Sequence, residues 1–142
     1  MEIVIKTLFD VIKYEPLNPT YVIRIFSPGK YTKPISERAQ LIESPNYKKQ
    51  FIYFFNDEIF NISDETNARK LIADFSRNKD GIESLLVHCV LGQNRSPAVA
   101  IALNDIFNLG NDRRELMRLY PKFNQSIYRR MVEIGNQRIF IK

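Results

Sequence analysis

Five residues within positions 88–96 have the types and the spacing that phosphate chemistry requires. They are His88, Cys89, Gly92, Arg95 and Ser96. The residues lie between an apolar segment at 82–88, typical of a buried strand, and an apolar run that begins at position 97 and is typical of a buried helix. Ligands of α/β proteins bind beyond the carboxyl ends of strands, and backbone N–H groups that lead into a helix form a site for an oxyanion. The pattern therefore predicts an anion-binding loop with a thiol beside the anion.

Each side chain has a predicted role in this loop. Gly92 can adopt a positive φ and let the backbone curve around the anion, and the planar guanidinium of Arg95 can hold two of its oxygens. Helix N-termini and nearby cations favour the thiolate form of cysteine, so Cys89 is the candidate nucleophile toward a bound phosphorus. Ser96 can hydrogen-bond the sulfur, and His88 is expected to orient the loop rather than act as a base. The predicted phosphate-binding loop comprises Val90, Leu91, Gly92, Gln93, Asn94 and Arg95.

The conjunction of these residues matters more than any one of them. A lone cysteine after an apolar strand is usually a small buried hydrophobe, and a lone histidine is usually structural. From average residue frequencies, the probability that these five residue types occur by chance at these offsets in a chain of this length is about 10⁻⁴ or less. The spacing therefore favours a chemical role.

The motif His-Cys-x-x-Gly-x-x-Arg-Ser at 88–96 resembles the signature of the cysteine-dependent protein tyrosine phosphatases. The run at 95–100 is most similar to the small dual-specificity branch of that superfamily. The resemblance implies a phosphocysteine intermediate on Cys89, with Arg95 and the loop amides binding phosphate, and it implies no metal and no cofactor. Leu91 and Asn94 depart from the usual pattern, which has alanine at the first position and a small residue at the second.

A phosphatase must also protonate the oxygen that leaves, a step usually worth about 10²–10⁴ in rate. In the family that this chain resembles, the proton donor is an aspartate about thirty residues before the cysteine, on a loop after a buried strand. Asp57 lies 32 residues before Cys89 and directly follows the apolar segment 51–55. Asp57 is therefore the predicted general acid, with its neighbour Glu58 as the alternative.

The rest of the chain predicts the elements that position these residues. Strands alternating with helices indicate an α/β fold, with a mostly parallel central sheet flanked by helices, in a single domain over residues 1–142. The continuous apolar run 51–55 is typical of a strand buried on both faces. Ser63 is the predicted N-cap of the helix that follows, with Asp64 and Glu65 in its first turn. Predicted strands lie at 3–5, 21–26, 51–55 and 82–88. Predicted helices lie at 7–14, 63–80, from 96 onward, 112–120 and 124–136.

Composition and charge exclude several classes of protein. The 142 residues (16.7 kDa) are 44% hydrophobic and 26% charged, which excludes a disordered chain and a collagen-like repeat. The single cysteine excludes a disulfide scaffold, and with no visible signal peptide it predicts a cytoplasmic protein. The net charge is +5, and the whole excess lies in residues 111–142, which hold 8 basic and 3 acidic side chains. This basic end indicates either anionic partners or a solvated helix surface.

These observations favour a phosphatase that acts on phosphorylated protein and leave other functions open. An RNA 5′-triphosphatase or a phosphoinositide phosphatase would use the same scaffold and would suit the basic end. A phosphate-binding module without turnover is the alternative outside the enzyme class, and a basic nucleic-acid-binding protein leaves the Cys89–Arg95 loop unexplained. Candidates to border the cleft are Lys30, Tyr31 and Lys33, or Tyr47, Lys48 and Lys49.

Overall fold

The computed structural model describes residues 1–29 and 39–141, and it describes side chains up to residue 137. Strands and helices alternate along these residues. The four strands of these residues are β1 (Glu2–Lys6), β2 (Thr20–Phe26), β3 (Tyr47–Phe54) and β4 (Ser84–His88). The helices are α1 (Leu8–Val11), α2 (Ile62–Asn78), α3 (Arg95–Phe107), α4 (Arg113–Leu119) and α5 (Gln125–Ile141). The candidate residues Lys30, Tyr31 and Lys33 lie outside the described residues.

The four strands form one sheet in the order β1-β4-β2-β3, and every neighbouring pair is parallel. The predicted α/β fold with a parallel sheet and flanking helices is therefore confirmed. Because parallel strands end at the same edge of a sheet, the loop after His88 begins where β1, β2 and β3 also end. This edge is where a ligand site is expected in such a fold.

Helix α3 forms the buried centre of the helical layer. All of its residues from Arg95 to Asn104 are buried, and it packs against both β4 and α5. Gly135 of α5 permits this close packing, since a Cβ atom there would lie 2.6 Å from the side chain of Ile106 on α3. The prediction of a buried helix starting near Ser96 is confirmed, with the first turn one residue earlier.

The edge strand β3 differs from its prediction. It begins at Tyr47 rather than at 51, and it has only β2 as a neighbour in the sheet. Residues 48–50 are exposed, and Ile52 is 39% exposed, so the expectation of a strand buried on both faces is wrong. The apolar run has another cause: Phe51 and Tyr53 face the core, and Phe55, just beyond the strand, is fully buried.

The register of β3 also corrects one candidate edge of the cleft. Tyr47 pairs with Thr20 at the start of β2, and Thr20 in turn pairs with Ser84 at the start of β4. Residues 47–49 therefore lie at the amino edge of the sheet, opposite the loop that follows β4. The prediction that they border the cleft is wrong.

The helix starts follow local capping rules. Asn61, not Ser63, is the N-cap of α2, because it forms a reciprocal capping box with Asp64. The predicted segment 7–14 yields only the short helix α1. Asn124 caps α5, since its Oδ1 accepts from the Ile127 N–H at 3.0 Å. No helix within the described ranges combines the length and the apolar character needed to cross a bilayer.

A buried hydrogen bond joins the two central strands at their carboxyl ends. Arg24 and His88 are register partners on β2 and β4, and the Arg24 Nε donates to the His88 Nε2 at 2.8 Å. Because Nε2 accepts, the proton of the neutral ring lies on Nδ1, which donates to the Cys89 carbonyl oxygen at 3.4 Å. Burial and, next, the charge of Arg24 lower the pKa of His88 to about 4. His88 is therefore an uncharged orienting group at neutral pH.

This environment predicts a loss of stability in weak acid. Below pH 6.5 the unfolded chain protonates His88 while the folded chain does not until the pH nears 4, so the free energy of unfolding falls between these values. We expect a decrease of about 2 to 3 kcal/mol from pH 7.5 to pH 4.5 through this group, measured by urea unfolding. The variant His88→Gln does not titrate there, and an equal pH dependence in both proteins would contradict the assignment.

Candidate active site

The loop between β4 and α3 forms the floor of a cavity of about 150 Å³. The cavity brings together three residues that the sequence analysis assigned to catalysis: Cys89, Arg95 and Asp57. The other residues around it are Leu91, Gln93, Asn94 and Lys122. The described residues contain no group of three or more His, Cys, Asp or Glu side chains arranged to hold a metal ion.

The sulfur of Cys89 lies at the carboxyl end of β4 and is surrounded by hydrogen-bonding groups. The Gly92 N–H donates to the sulfur at 3.3 Å, and the Ser96 hydroxyl lies 3.1 Å from it. Cys89 is only 2% exposed, and Ser96 is fully buried. The sulfur therefore lies within hydrogen-bonding distance of a backbone N–H and a hydroxyl, beside the first turn of α3.

Gly92 lets the loop fold back toward the sulfur. Its φ is +69°, a conformation that residues with a side chain rarely adopt. A Cβ atom at this position would also lie 3.1 Å from the Lys6 carbonyl oxygen and 3.2 Å from the Thr7 nitrogen. The Leu8 N–H donates to the Val90 carbonyl oxygen at 3.0 Å, so the loop rests directly on the junction of β1 and α1.

The guanidinium of Arg95 is held by two neighbouring strands. Its Nη1 donates to the Ser27 hydroxyl after β2 at 2.7 Å and to the Phe55 carbonyl oxygen after β3 at 3.1 Å. Its Nε and Nη2 make no hydrogen bond to the described residues. The guanidinium is therefore fixed on one side and has donors left for the oxygens of a bound anion.

The loop that carries Asp57 follows β3 and is held by the start of α2. The buried carboxylate of Asp64 accepts from the N–H groups of Asn56 and Asn61, each at 2.9 Å. Asp57 itself is exposed and lines the cavity that contains Cys89. Its neighbour Glu58 lines a separate surface depression and not this cavity. Asp57 also lines that depression, so of these two acidic residues only Asp57 borders the cavity that contains Cys89.

Several residues of the site could not be recognised from the sequence. Arg24 and Ser27 orient His88 and Arg95 across the sheet, contacts between segments more than sixty residues apart. Lys122 reaches the cavity from the segment before α5. Asn124 caps α5, and its side-chain Nδ2 also donates to the Asp57 carbonyl oxygen and to the Asn94 Oδ1. None of these contacts follows from a local pattern.

No family model and no curated protein matches this chain. Among solved structures, a glycine-to-alanine mutant form of Tk-PTP is 15% identical and aligns over 99% of this chain and 93% of that chain, with a TM-score of 0.51. The active form of Tk-PTP is 15% identical over 92% of this chain and 82% of that chain, with a TM-score of 0.44. The human tyrosine phosphatase-like serine/threonine/tyrosine-interacting protein is 18% identical over 87% of this chain and 79% of that chain, with a TM-score of 0.46. The match at a TM-score of 0.51 shows that the chain has a protein tyrosine phosphatase-like fold.

Proposed function

We propose that this chain is a phosphomonoester hydrolase that acts on phosphorylated protein, at phosphotyrosine, phosphoserine or phosphothreonine, through a phosphocysteine intermediate. The observation that carries the proposal is the convergence of Cys89, Arg95 and Asp57 on one cavity. A module that only bound phosphate would need the loop amides and Arg95. It would need neither a nucleophile nor a proton donor.

The first step transfers the phosphoryl group to sulfur. The Cys89 thiolate attacks phosphorus, an S–P bond forms, and the ester P–O bond breaks. Asp57 gives its proton to the departing oxygen, which leaves as an alcohol or phenol. Arg95 and the backbone N–H groups of the loop bind the remaining phosphoryl oxygens and stabilise the charge that they carry in the transition state.

The second step restores the enzyme. Asp57, now a carboxylate, accepts a proton from a water molecule as that water attacks phosphorus. The S–P bond breaks, inorganic phosphate leaves, and the sulfur departs as a thiolate. The hydrogen bonds from Gly92 and Ser96 assist this departure, because both groups lie within hydrogen-bonding distance of the sulfur. His88 does not act as a base in this scheme, since both ring nitrogens are engaged with Arg24 and the Cys89 carbonyl.

A peptide substrate suits the surroundings of the cavity. A second cavity of about 220 Å³ lies beside the first, and the two share Gln93 and Lys122. Leu119, Tyr120 and Pro121 complete the second cavity, so it offers apolar surface as well as a cation. A chain extending from a phosphorylated side chain has room to lie there.

Lys122 also favours a second candidate, a substrate with several phosphates such as a 5′-triphosphorylated RNA or a phosphoinositide. Lys122 lines the cavity that contains Cys89 and forms no ion pair with a described residue. The rest of the basic end gives weaker support: Arg113 pairs with Asp105, Arg118 with Glu115, and Arg130 with Glu65. Parallel assays with phosphopeptides, triphosphorylated RNA and inositol lipids separate the two candidates, because turnover of RNA or lipid alone contradicts the protein assignment.

The substitution Cys89→Ser is expected to abolish phosphate release while leaving the fold intact. A serine hydroxyl retains nearly the same volume and is a far weaker nucleophile than a thiolate. Release of inorganic phosphate from phosphotyrosine and phosphoserine peptides, in the presence of a metal chelator, measures the effect. Activity that survives the substitution would exclude the phosphocysteine route. A wild-type protein that binds vanadate but releases no phosphate would favour the binding module.

The substitution Asp57→Asn is expected to lower kcat/KM by about 10²–10⁴ for phenyl phosphate, whose leaving group requires protonation in the first step. The loss for p-nitrophenyl phosphate is expected to be much smaller, because nitrophenolate leaves readily without a proton. Glu58→Gln is the matched control and should retain activity close to that of the wild type on both substrates. A larger loss in the Glu58 variant would transfer the role of acid to Glu58.

A further inference from the structure

The side chain of Asn124 contacts three separate segments around the candidate active site. Its Nδ2 donates to the Asp57 carbonyl oxygen at 3.1 Å and to the Asn94 Oδ1 at 3.1 Å. Its Oδ1 accepts from the Ile127 N–H at 3.0 Å, in the first turn of α5. Its own backbone N–H donates to the Asn94 carbonyl oxygen at 2.8 Å. One planar amide therefore joins the Asp57 loop, the phosphate-binding loop and the start of α5.

Helix capping does not by itself require asparagine at this position. Serine, threonine or aspartate would cap α5 equally well, because a cap needs only one acceptor oxygen. None of these side chains has the two N–H groups that Asn124 directs to the two loops. Asn124 is only 9% exposed, so water has little access to replace either bond. The carboxamide is explained by the loops that it joins and not by the helix that it caps.

Asn94 is the partner that makes this bridge possible. It is the N-cap of α3, yet its side chain makes no capping hydrogen bond to that helix. Its Oδ1 instead accepts from Asn124, and its Nδ2 donates to the Lys122 carbonyl oxygen at 3.2 Å. The Asn94 side chain thus holds the 122–124 segment. Because it does not cap α3, the first N–H groups of that helix remain able to donate to an anion.

We propose that Asn124 is a positioning residue for proton transfer: by holding the Asp57 carbonyl and Asn94 together, it sets the distance between the proton donor and the phosphate-binding loop. This inference rests on the proposed function, because it assigns the purpose of the bridge to the acid step. Proton donors act over hydrogen-bonding distances, and a displacement of about 1 Å can cost about 10²-fold in rate. A bond to the backbone of the acid residue itself controls this displacement directly.

The test uses Asn124→Ser and Asn124→Asp, which both keep an oxygen to cap α5 and both lose the two donors. Each is expected to lower kcat/KM for phenyl phosphate by about 10- to 100-fold, and kcat/KM for p-nitrophenyl phosphate by less than about threefold. In an Asp57→Asn background the same substitutions are expected to add no further loss selective for phenyl phosphate. Asp112→Ala is the matched control, since it removes the N-cap of α4 away from the site and should cause no substrate-selective loss.

Hydrogen–deuterium exchange of residues 56–61 gives a readout that does not depend on activity. We expect faster exchange of this segment in Asn124→Ser than in the wild type or in Asp112→Ala. Unchanged exchange, equal losses on both substrates, or selective losses that persist in the Asp57→Asn background would each overturn the proposal. A wild-type protein without phosphatase activity would instead refute the proposed function, and the role of Asn124 in holding the loop would then be decided by exchange alone.

Discussion

The hydrogen bond from the Gly92 N–H to the Cys89 sulfur folds the loop after β4 back on itself, and the candidate site depends on that fold. It requires a positive φ at Gly92 and a backbone that lies against Lys6 and Thr7 with no space for a side chain. The same fold brings the sulfur beside the first turn of α3, where Ser96 lies. A residue larger than glycine would not fit against Lys6 and Thr7, so the loop could not keep the Gly92 N–H within hydrogen-bonding distance of the sulfur.

The carboxyl ends of all four strands hold this loop. β1 contacts it through Lys6 and Gly92, and β4 leads directly into it. The segments after β2 and β3 bind the guanidinium of Arg95 through the Ser27 hydroxyl and the Phe55 carbonyl. A parallel sheet provides these four contacts because its strands end side by side, so the sheet order decides which groups reach the anion.

The buried pair of Arg24 and His88 supports the loop from within the sheet without adding negative charge. Among the described residues Arg24 forms no ion pair, and its Nε and Nη2 donate to His88 and to the Ala39 carbonyl oxygen. A carboxylate in place of His88 would satisfy Arg24, but its charge would lie one residue from the sulfur and disfavour the thiolate. A neutral imidazole orients the Cys89 carbonyl and adds no charge beside the sulfur.

The order of residue types along the chain predicted the alternation of strands and helices and the anion-binding loop at 88–96, whereas Asp57 became the candidate acid through the family resemblance. These features are local: a hydrophobic period, a turn that needs glycine, and a short motif are all written in consecutive residues. The placement of β3 at the sheet edge, the partners Arg24 and Ser27, and the bridge made by Asn124 were decided only by the tertiary structure. Each of these depends on which distant segments pack together. Nearest-neighbour residue preferences do not encode the pairing of segments sixty residues apart.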